Sequence, residues 1–279
     1  MSIVPIADDP VGSYPIDSVQ ADEHERLRLQ DDAWASDAHA LLDQIGVGAG
    51  WHCLDLGCGP KGLTDILSQR VGPTGKVVGL ELNPAFTETA RKSAPANVEI
   101  VTGNAYATGL PGGSFDLVHM RFLASTAGEP ERLVSEAKRL LKPSGILATQ
   151  EADGATLRCF PPHPAWIRLL DALVTCFPTG FGEDPVAHRL YRLMQQTGFE
   201  NCHYRPSLVG VRSGDPWHDY LPSTTASLRN VFEARGLFTP HELDDTLAAC
   251  RAHLADPDTV FVSPMLVQVW GRMPSTAQD

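Results

Sequence analysis

Apolar positions along the chain change period several times. From about Asp22 to Gly46 they recur at spacings of three and four (Trp34, Ala38, Leu41, Leu42, Ile45), which predicts a helix that Gly46 stops. Trp51–Leu56 is a short continuous apolar run and predicts a buried strand. Leu63, Ile66, Leu67 and Val71 mark a helix ending before Gly72-Pro73-Thr74-Gly75. Lys76–Leu82 predicts a second strand, and Pro84 suits the first turn of a helix running to about Lys92. Val98–Thr102 and Phe115–Met120 predict strands three and four. Leu133, Val134, Ala137, Leu140 and Leu141 form one face of a helix from about Pro130 that stops at Lys142-Pro143-Ser144-Gly145, and Ile146–Gln150 predicts strand five. Strands alternating with helices through short turns imply a mostly parallel, doubly wound α/β sheet, because parallel neighbours need crossovers.

After Glu151 the rhythm changes. Residues 154–183 carry Pro161, Pro162, Pro164 and Pro178 around a helical stretch near Trp166–Val174. Pro185–Gln196 predicts a helix, Glu200–Leu208 a strand, residues 217–254 two helices with Pro240 at a start, and Thr259–Trp270 a last strand. The expected organisation is an N-terminal arm and helical lid over residues 1–46 and a ligand-binding core over 47–153. Residues 154–279 then supply cap insertions and the strands that complete the sheet. Residues 1–18, with Pro5, Pro10 and Pro15, have the pattern of an arm.

Composition narrows the function. The 279 residues carry 22 basic and 34 acidic side chains, a net charge of −12, which disfavours nucleic acid and anionic membranes as partners. The N-terminal residues lack the basic-then-apolar order of a secretory signal, and no apolar run reaches the length that spans a bilayer. The six cysteines form no C-x-x-C pair, and no Cys/His spacing suits zinc. The expectation is a cytoplasmic protein with reduced thiols and no metal; its oligomeric state stays open.

The most informative segment is Leu54-Asp55-Leu56-Gly57-Cys58-Gly59-Pro60-Lys61-Gly62, where strand one turns into a helix. Gly57, Gly59 and Gly62 match the loose dinucleotide spacing, which leaves a nicotinamide-dependent oxidoreductase as one reading. Asp55, two residues before the first glycine, favours a ligand with an ammonium group over a bare pyrophosphate. Glu81 ends strand two, followed by Leu82, and can accept hydrogen bonds from both hydroxyls of a ribose; the alternative is a solvated strand-end charge. Gly103-Asn104-Ala105 closes strand three, where an amide can pair with an adenine edge or simply serve a turn. These positions share the carboxyl edge of the sheet, where such folds bind ligands.

With these pieces in this order, residues 22–153 resemble the class I S-adenosylmethionine-dependent methyltransferases, in the ubiquinone/menaquinone type. The resemblance also rests on Leu110-Pro111, Phe115-Asp116-Leu117-Val118, Leu140-Leu141-Lys142-Pro143-Ser144-Gly145 and the arm stretch Glu23–Gln30. Asn104 stands where the family often has Asp, and Ser144 where it often has Gly. The resemblance implies a Rossmann-like sheet of seven strands with the last antiparallel beside the fifth. It implies S-adenosylmethionine as cofactor and transfer of its methyl group to carbon, oxygen or nitrogen of a small bacterial metabolite. The expected cofactor residues are Tyr14, Asp55, Gly57, Cys58, Gly59, Glu81, Leu82, Asn104, Ala105 and Arg121, the arginine being placed to reach the cofactor carboxylate. Glu151, Asp153 and His119, at strand ends near the cap, are the candidate bases. Phe160, Trp166, Phe177 and Phe181 are candidates for an apolar acceptor pocket. A protein that holds the cofactor without transferring methyl is the remaining alternative.

Overall fold

The computed structural model describes residues 21–275. The predicted helix over 22–46 is two helices, α1 (Ala21–Ala33) and α2 (Ala35–Ile45), hinged at Trp34. The indole of Trp34 is buried edge-on against Trp217, 5.4 Å between ring centroids, and the chain turns to put it there. Then come β1 (His52–Leu56), α3 (Thr64–Val71), β2 (Lys76–Glu81), α4 (Pro84–Ser93), β3 (Val98–Thr102), β4 (Phe115–Arg121), α5 (Ala124–Ala127), α6 (Pro130–Leu140) and β5 (Leu141–Asp153). Local chemistry sets the helix starts. Asn83 caps α4 by accepting from Ala85 N–H at 2.9 Å, with Pro84 in the first turn.

The helix expected to run into Lys142 instead ends at Leu140, and β5 starts at once. Leu141 pairs with Phe115 of β4, and the Lys142 ammonium meets Asp116 at 2.8 Å. These long-range contacts override the helical spacing.

The rest of the chain is β6 (Arg158–Phe160), α7 (Pro164–Cys176), α8 (Pro178–Phe181), α9 (Val186–Gln196), β7 (Glu200–Ser207), β8 (Gly210–Arg212), α10 (Tyr220–Ser227), α11 (Arg229–Ala234), α12 (Pro240–Leu254), β9 (Val260–Val262) and β10 (Met265–Arg272). The two helices expected over 217–254 are three. The single strand expected over 259–270 is two, divided at Ser263-Pro264, because proline has no N–H to continue a ladder. The first piece, β9, joins β6 and β8 in a small antiparallel sheet; the second enters the main sheet.

The main sheet has seven strands in the order β3-β2-β1-β4-β5-β10-β7. β1 to β5 are parallel, and β10 is antiparallel to β5 and to the edge strand β7. This is the Rossmann-like, doubly wound arrangement with its reversed last strand. Leu133, Val134, Ala137 and Leu140 of α6 are fully buried against one face, and each leucine contributes about 2 kcal/mol through the apolar area it removes from water. α2 and α3 cover the other face through Leu41, Leu42 and Leu67. A separate core around Trp166, Leu169, Phe232, Leu243 and Phe261 holds the cap together over the carboxyl end of the sheet.

Candidate functional site

The site is built on Asp55 at the end of β1. Its Oδ2 accepts from Leu63 N–H at 2.8 Å, which pulls the glycine loop back over the strand. Its Oδ1 lies 2.8 Å from His119 Nδ1, so that nitrogen donates. Gly57 and Cys58 both donate their N–H to Leu80 O, at 2.7 and 3.1 Å, tying the loop to β2. Gly62 has φ +55°, and a Cβ there would lie 2.4 Å from Asp55 Oδ2 and 2.5 Å from Cys58 O. Gly59, at φ +60°, has nothing within 4 Å of such a Cβ, so its backbone faces open space.

Glu81 at the end of β2 completes the turn. It accepts from Gly59 N–H at 2.9 Å and from Asn83 N–H at 2.8 Å. Burial raises its carboxyl above the usual range, opposed by these backbone donors. Backbone donors at Gly59, Asn83 and Leu82 do not use all four acceptor sites of the carboxylate, so it can still accept from a ligand hydroxyl. At the end of β3, Asn104 Oδ1 accepts from Tyr106 N–H at 2.8 Å, so its carbonyl already serves a turn.

Asp55, Gly57, Cys58, Gly59, Glu81 and Leu82 all line one cavity of about 440 Å³. Asn104, Ala105 and Arg121 line it as well. Tyr14 lies outside the described residues. The cavity runs on beneath the cap, where its walls are Phe122, Leu123, Ala152, Leu173, Phe177 and Phe181, with Tyr220 and Thr224 from α10. Of the four aromatics expected in an acceptor pocket, Phe177 and Phe181 are in this wall. Trp166 is instead buried against Phe261, and Phe160 is exposed on the small sheet.

The three candidate bases are not in the wall, and the structure supplies the reason for each. Glu151 is fully buried, its oxygens accepting from Ala124 N–H at 2.7 Å and Ser125 N–H at 3.1 Å. Burial pushes its carboxyl up to about 7. It anchors α5, whose residues do line the cavity, and so acts at one remove. His119 is fully buried between Asp55 and Gln150 Oε1, 3.1 Å from Nε2. The Gln150 amide nitrogen has no partner among the described residues. Asp153 accepts from Ala155 N–H at 2.9 Å and faces His188 Nε2 of α9 at 3.1 Å.

Sequence reasoning missed Asp31. It lines the cavity from α1 and is bonded to the Arg121 guanidinium. Burial raises its carboxyl above the usual range, with Arg121 opposing. The signal was present: Arg26, Leu27, Gln30, Asp31 and Trp34 fall on one helical face, where three polar groups replace the apolar ones an ordinary packed face would carry. Among the described residues there is no cluster able to hold a metal ion and no helix long and apolar enough to cross a membrane.

Comparison with known proteins defines the class. Residues 54–149 match the methyltransferase domain family. A demethylmenaquinone methyltransferase of Staphylococcus aureus is 33% identical over 189 residues, covering 61% of this chain and 77% of that protein. A demethylmenaquinone methyltransferase of Lactococcus lactis is 33% identical over 132 residues, covering 46% and 51%. An S-adenosylmethionine-dependent methyltransferase from Aquifex aeolicus shares the fold, with a TM-score of 0.51 at 17% identity over 91% of this chain and 100% of that one. The chain spans about half the length of the first curated relatives it matches, from 37% to 57%. The chain belongs to the S-adenosylmethionine-dependent methyltransferase family, whose cofactor is S-adenosylmethionine. The cavity fits that group: an acid with spare lone pairs ends β2, open backbone lies at Gly59, and a second acid ends β1.

Proposed function

We propose that this chain transfers the methyl group of S-adenosylmethionine to a small organic acceptor, in bacterial biosynthetic or secondary metabolism and in the cytoplasm. One observation carries the reading: a single cavity joins the glycine-loop edge to an apolar chamber roofed by α7, α8 and α10. A roofed chamber of this size suits a small molecule rather than a macromolecule, and the net charge of −12 disfavours nucleic acid.

When bound, the cofactor supplies a methyl group already activated on a positively charged sulfur. The residues of this chain do the rest. Glu81 would accept from the ribose hydroxyls, and Gly57–Gly59 would present backbone to the nucleoside. Asp55 would place negative charge near the cofactor's ammonium group while it holds the loop. Phe122, Leu123, Phe177 and Phe181 exclude water and confine the acceptor, so that positioning supplies much of the acceleration. Asp31, whose carboxyl is raised, takes the acceptor's proton where the acceptor is poorly ionised.

The test has two stages. Calorimetric titration should show binding of S-adenosylmethionine and S-adenosylhomocysteine. Incubation with methyl-labelled cofactor and a bacterial extract should then yield S-adenosylhomocysteine and one labelled small product, identified by mass spectrometry. Cofactor retained unchanged through that incubation would sink methyl transfer and favour a binding role.

A further inference from the structure

One layer of the main sheet is polar although it is buried. On the face covered by α2 and α3, Cys53, Leu117, Ala148 and Trp270 belong to the apolar core. Two residues nearer the carboxyl edge, the same four strands carry Asp55, His119, Gln150 and Gln268 on that face, because alternate residues of a strand point the same way. The edge strand β7 adds Arg205, the register partner of Gln268. Asp55, His119, Gln150 and Gln268 are all buried. Burying polar side chains costs free energy that apolar ones in the same row would not.

The row ends at the cavity. Asp55 lines it, whereas His119, Gln150, Gln268 and Arg205 do not. Each Asp55 oxygen has one donor: Leu63 N–H on Oδ2 and His119 Nδ1 on Oδ1, both at 2.8 Å. Among the described residues, His119 is the one side chain bonded to this carboxylate. Its Nε2 lies 3.1 Å from Gln150 Oε1. Beyond Gln150, the Gln268 amide donates to Asp37 O of α2 at 2.9 Å and accepts from the Arg205 guanidinium at 2.6 Å. A carboxylate free to turn would have to be ordered when a cation binds. One already fixed by two donors meets that entropic cost on folding and not on binding.

We infer that His119 is a positioning residue of the cofactor site: it orients the Asp55 carboxylate toward the ammonium group of the cofactor's amino-acid end, and Gln150, Gln268 and Arg205 brace it from behind. His119 touches no ligand and acts only through Asp55. This rests on the proposed placement of the cofactor's ammonium group near Asp55.

Two ligands separate positioning from packing. S-adenosylhomocysteine carries the ammonium group, and 5′-methylthioadenosine is the same nucleoside thioether without the amino-acid end. Calorimetric titration of the full chain gives the ratio of their affinities. H119N places an amide where Nδ1 stands, and H119Q places it where Nε2 stands. H119Q should lower the preference for S-adenosylhomocysteine about ten-fold, with 5′-methylthioadenosine affinity almost unchanged, and H119N should keep the preference within about three-fold of wild type. H119L should match H119Q. Should H119L fail to fold, the contrast between H119N and H119Q still decides. D55A should lower the preference at least as far as H119Q does, and adding H119Q to D55A should lower it no further, because the two residues act as one unit. Equal losses for both ligands in H119Q, equal preferences in H119N and H119Q, or an undiminished preference in D55A overturns the inference while leaving the cofactor site in place. Failure of the wild type to bind S-adenosylhomocysteine strikes the cofactor site itself, and this inference with it.

Discussion

Arg121, the last residue of β4, donates to the carboxylate of Asp31 on α1, ninety positions earlier in the chain. The pair joins α1 to the carboxyl edge of the sheet in the wall of the cavity, so the arginine expected to reach the cofactor carboxylate is bonded to a carboxylate of this chain.

Breaking this pair should loosen α1. Asp31→Ala leaves the Arg121 guanidinium, 7% exposed, without its partner. The cost should be about 2 kcal/mol, below that of a fully buried pair because Asp31 is 18% exposed. Amide exchange over residues 21–33 should speed up while the central strands stay protected, and adding Arg121→Leu should recover part of the loss. Unchanged exchange in α1 would show that the pair does not hold the lid. Asp31→Asn keeps a hydrogen-bond acceptor for Arg121 while removing the base, so exchange in α1 should change less than in Asp31→Ala. Turnover on the acceptor found by labelling should drop about 100-fold with cofactor affinity preserved.

The two acids at the strand ends should separate by experiment. Asp55→Ala and Glu81→Ala should each weaken cofactor binding at least ten-fold, about 1.4 kcal/mol, in a calorimetric titration. Asp55→Ala should lower the melting temperature more than Glu81→Ala, since it releases the buried Leu63 N–H and leaves the fully buried His119 without its carboxylate, whereas the donors that Glu81 holds are only part-buried. Wild-type affinity in both variants would remove these residues from the cofactor site.

Much of this arrangement was legible in the chain. From β1 to β4 the elements are punctuated by glycine and proline, and each strand is short and apolar, so their order and the ligand-binding edge follow from pattern. The direction of a side chain was not legible where a strand is buried on both faces. Residues 145–153 of β5 are buried at every position, so periodicity cannot say whether Glu151 faces the cavity or the backbone of α5. The break at Trp34 and the start of β5 at Leu141 depend on partners far along the chain, Trp217 and Phe115, which local spacing does not contain.

Of the loop's three left-handed glycines, Gly59 and Gly62 should fail in different ways. Gly62→Ala drives a methyl group into Asp55 Oδ2 and the Cys58 carbonyl, so it should destabilise the fold and show first as a lower melting temperature. Gly59→Ala meets no protein atom. It should cost the fold only the backbone penalty of about 1 kcal/mol, and weaken cofactor binding by taking space at the cavity wall. Equal effects of both variants on melting temperature would contradict this division.

Glu151 should make stability fall as the pH rises through neutrality. Its carboxyl is held near 7 in the folded protein by burial, against an ordinary value of 4.5. Between those values the folded state keeps a proton that the unfolded chain has released. The stabilising contribution is therefore complete below about pH 4.5 and is lost as the pH climbs past about 7, in total about 3 kcal/mol. Glu151→Gln cannot titrate. Its amide still accepts one of the two backbone N–H groups, so the variant should be less stable than wild type at pH 5. The gap should narrow, or reverse, by pH 8. Urea unfolding at both values checks this, and the wild type should lose on the order of 2–3 kcal/mol more than the variant between them. Parallel losses in the two proteins would mean that Glu151 carries no such proton, and that its two backbone bonds keep it ionised throughout.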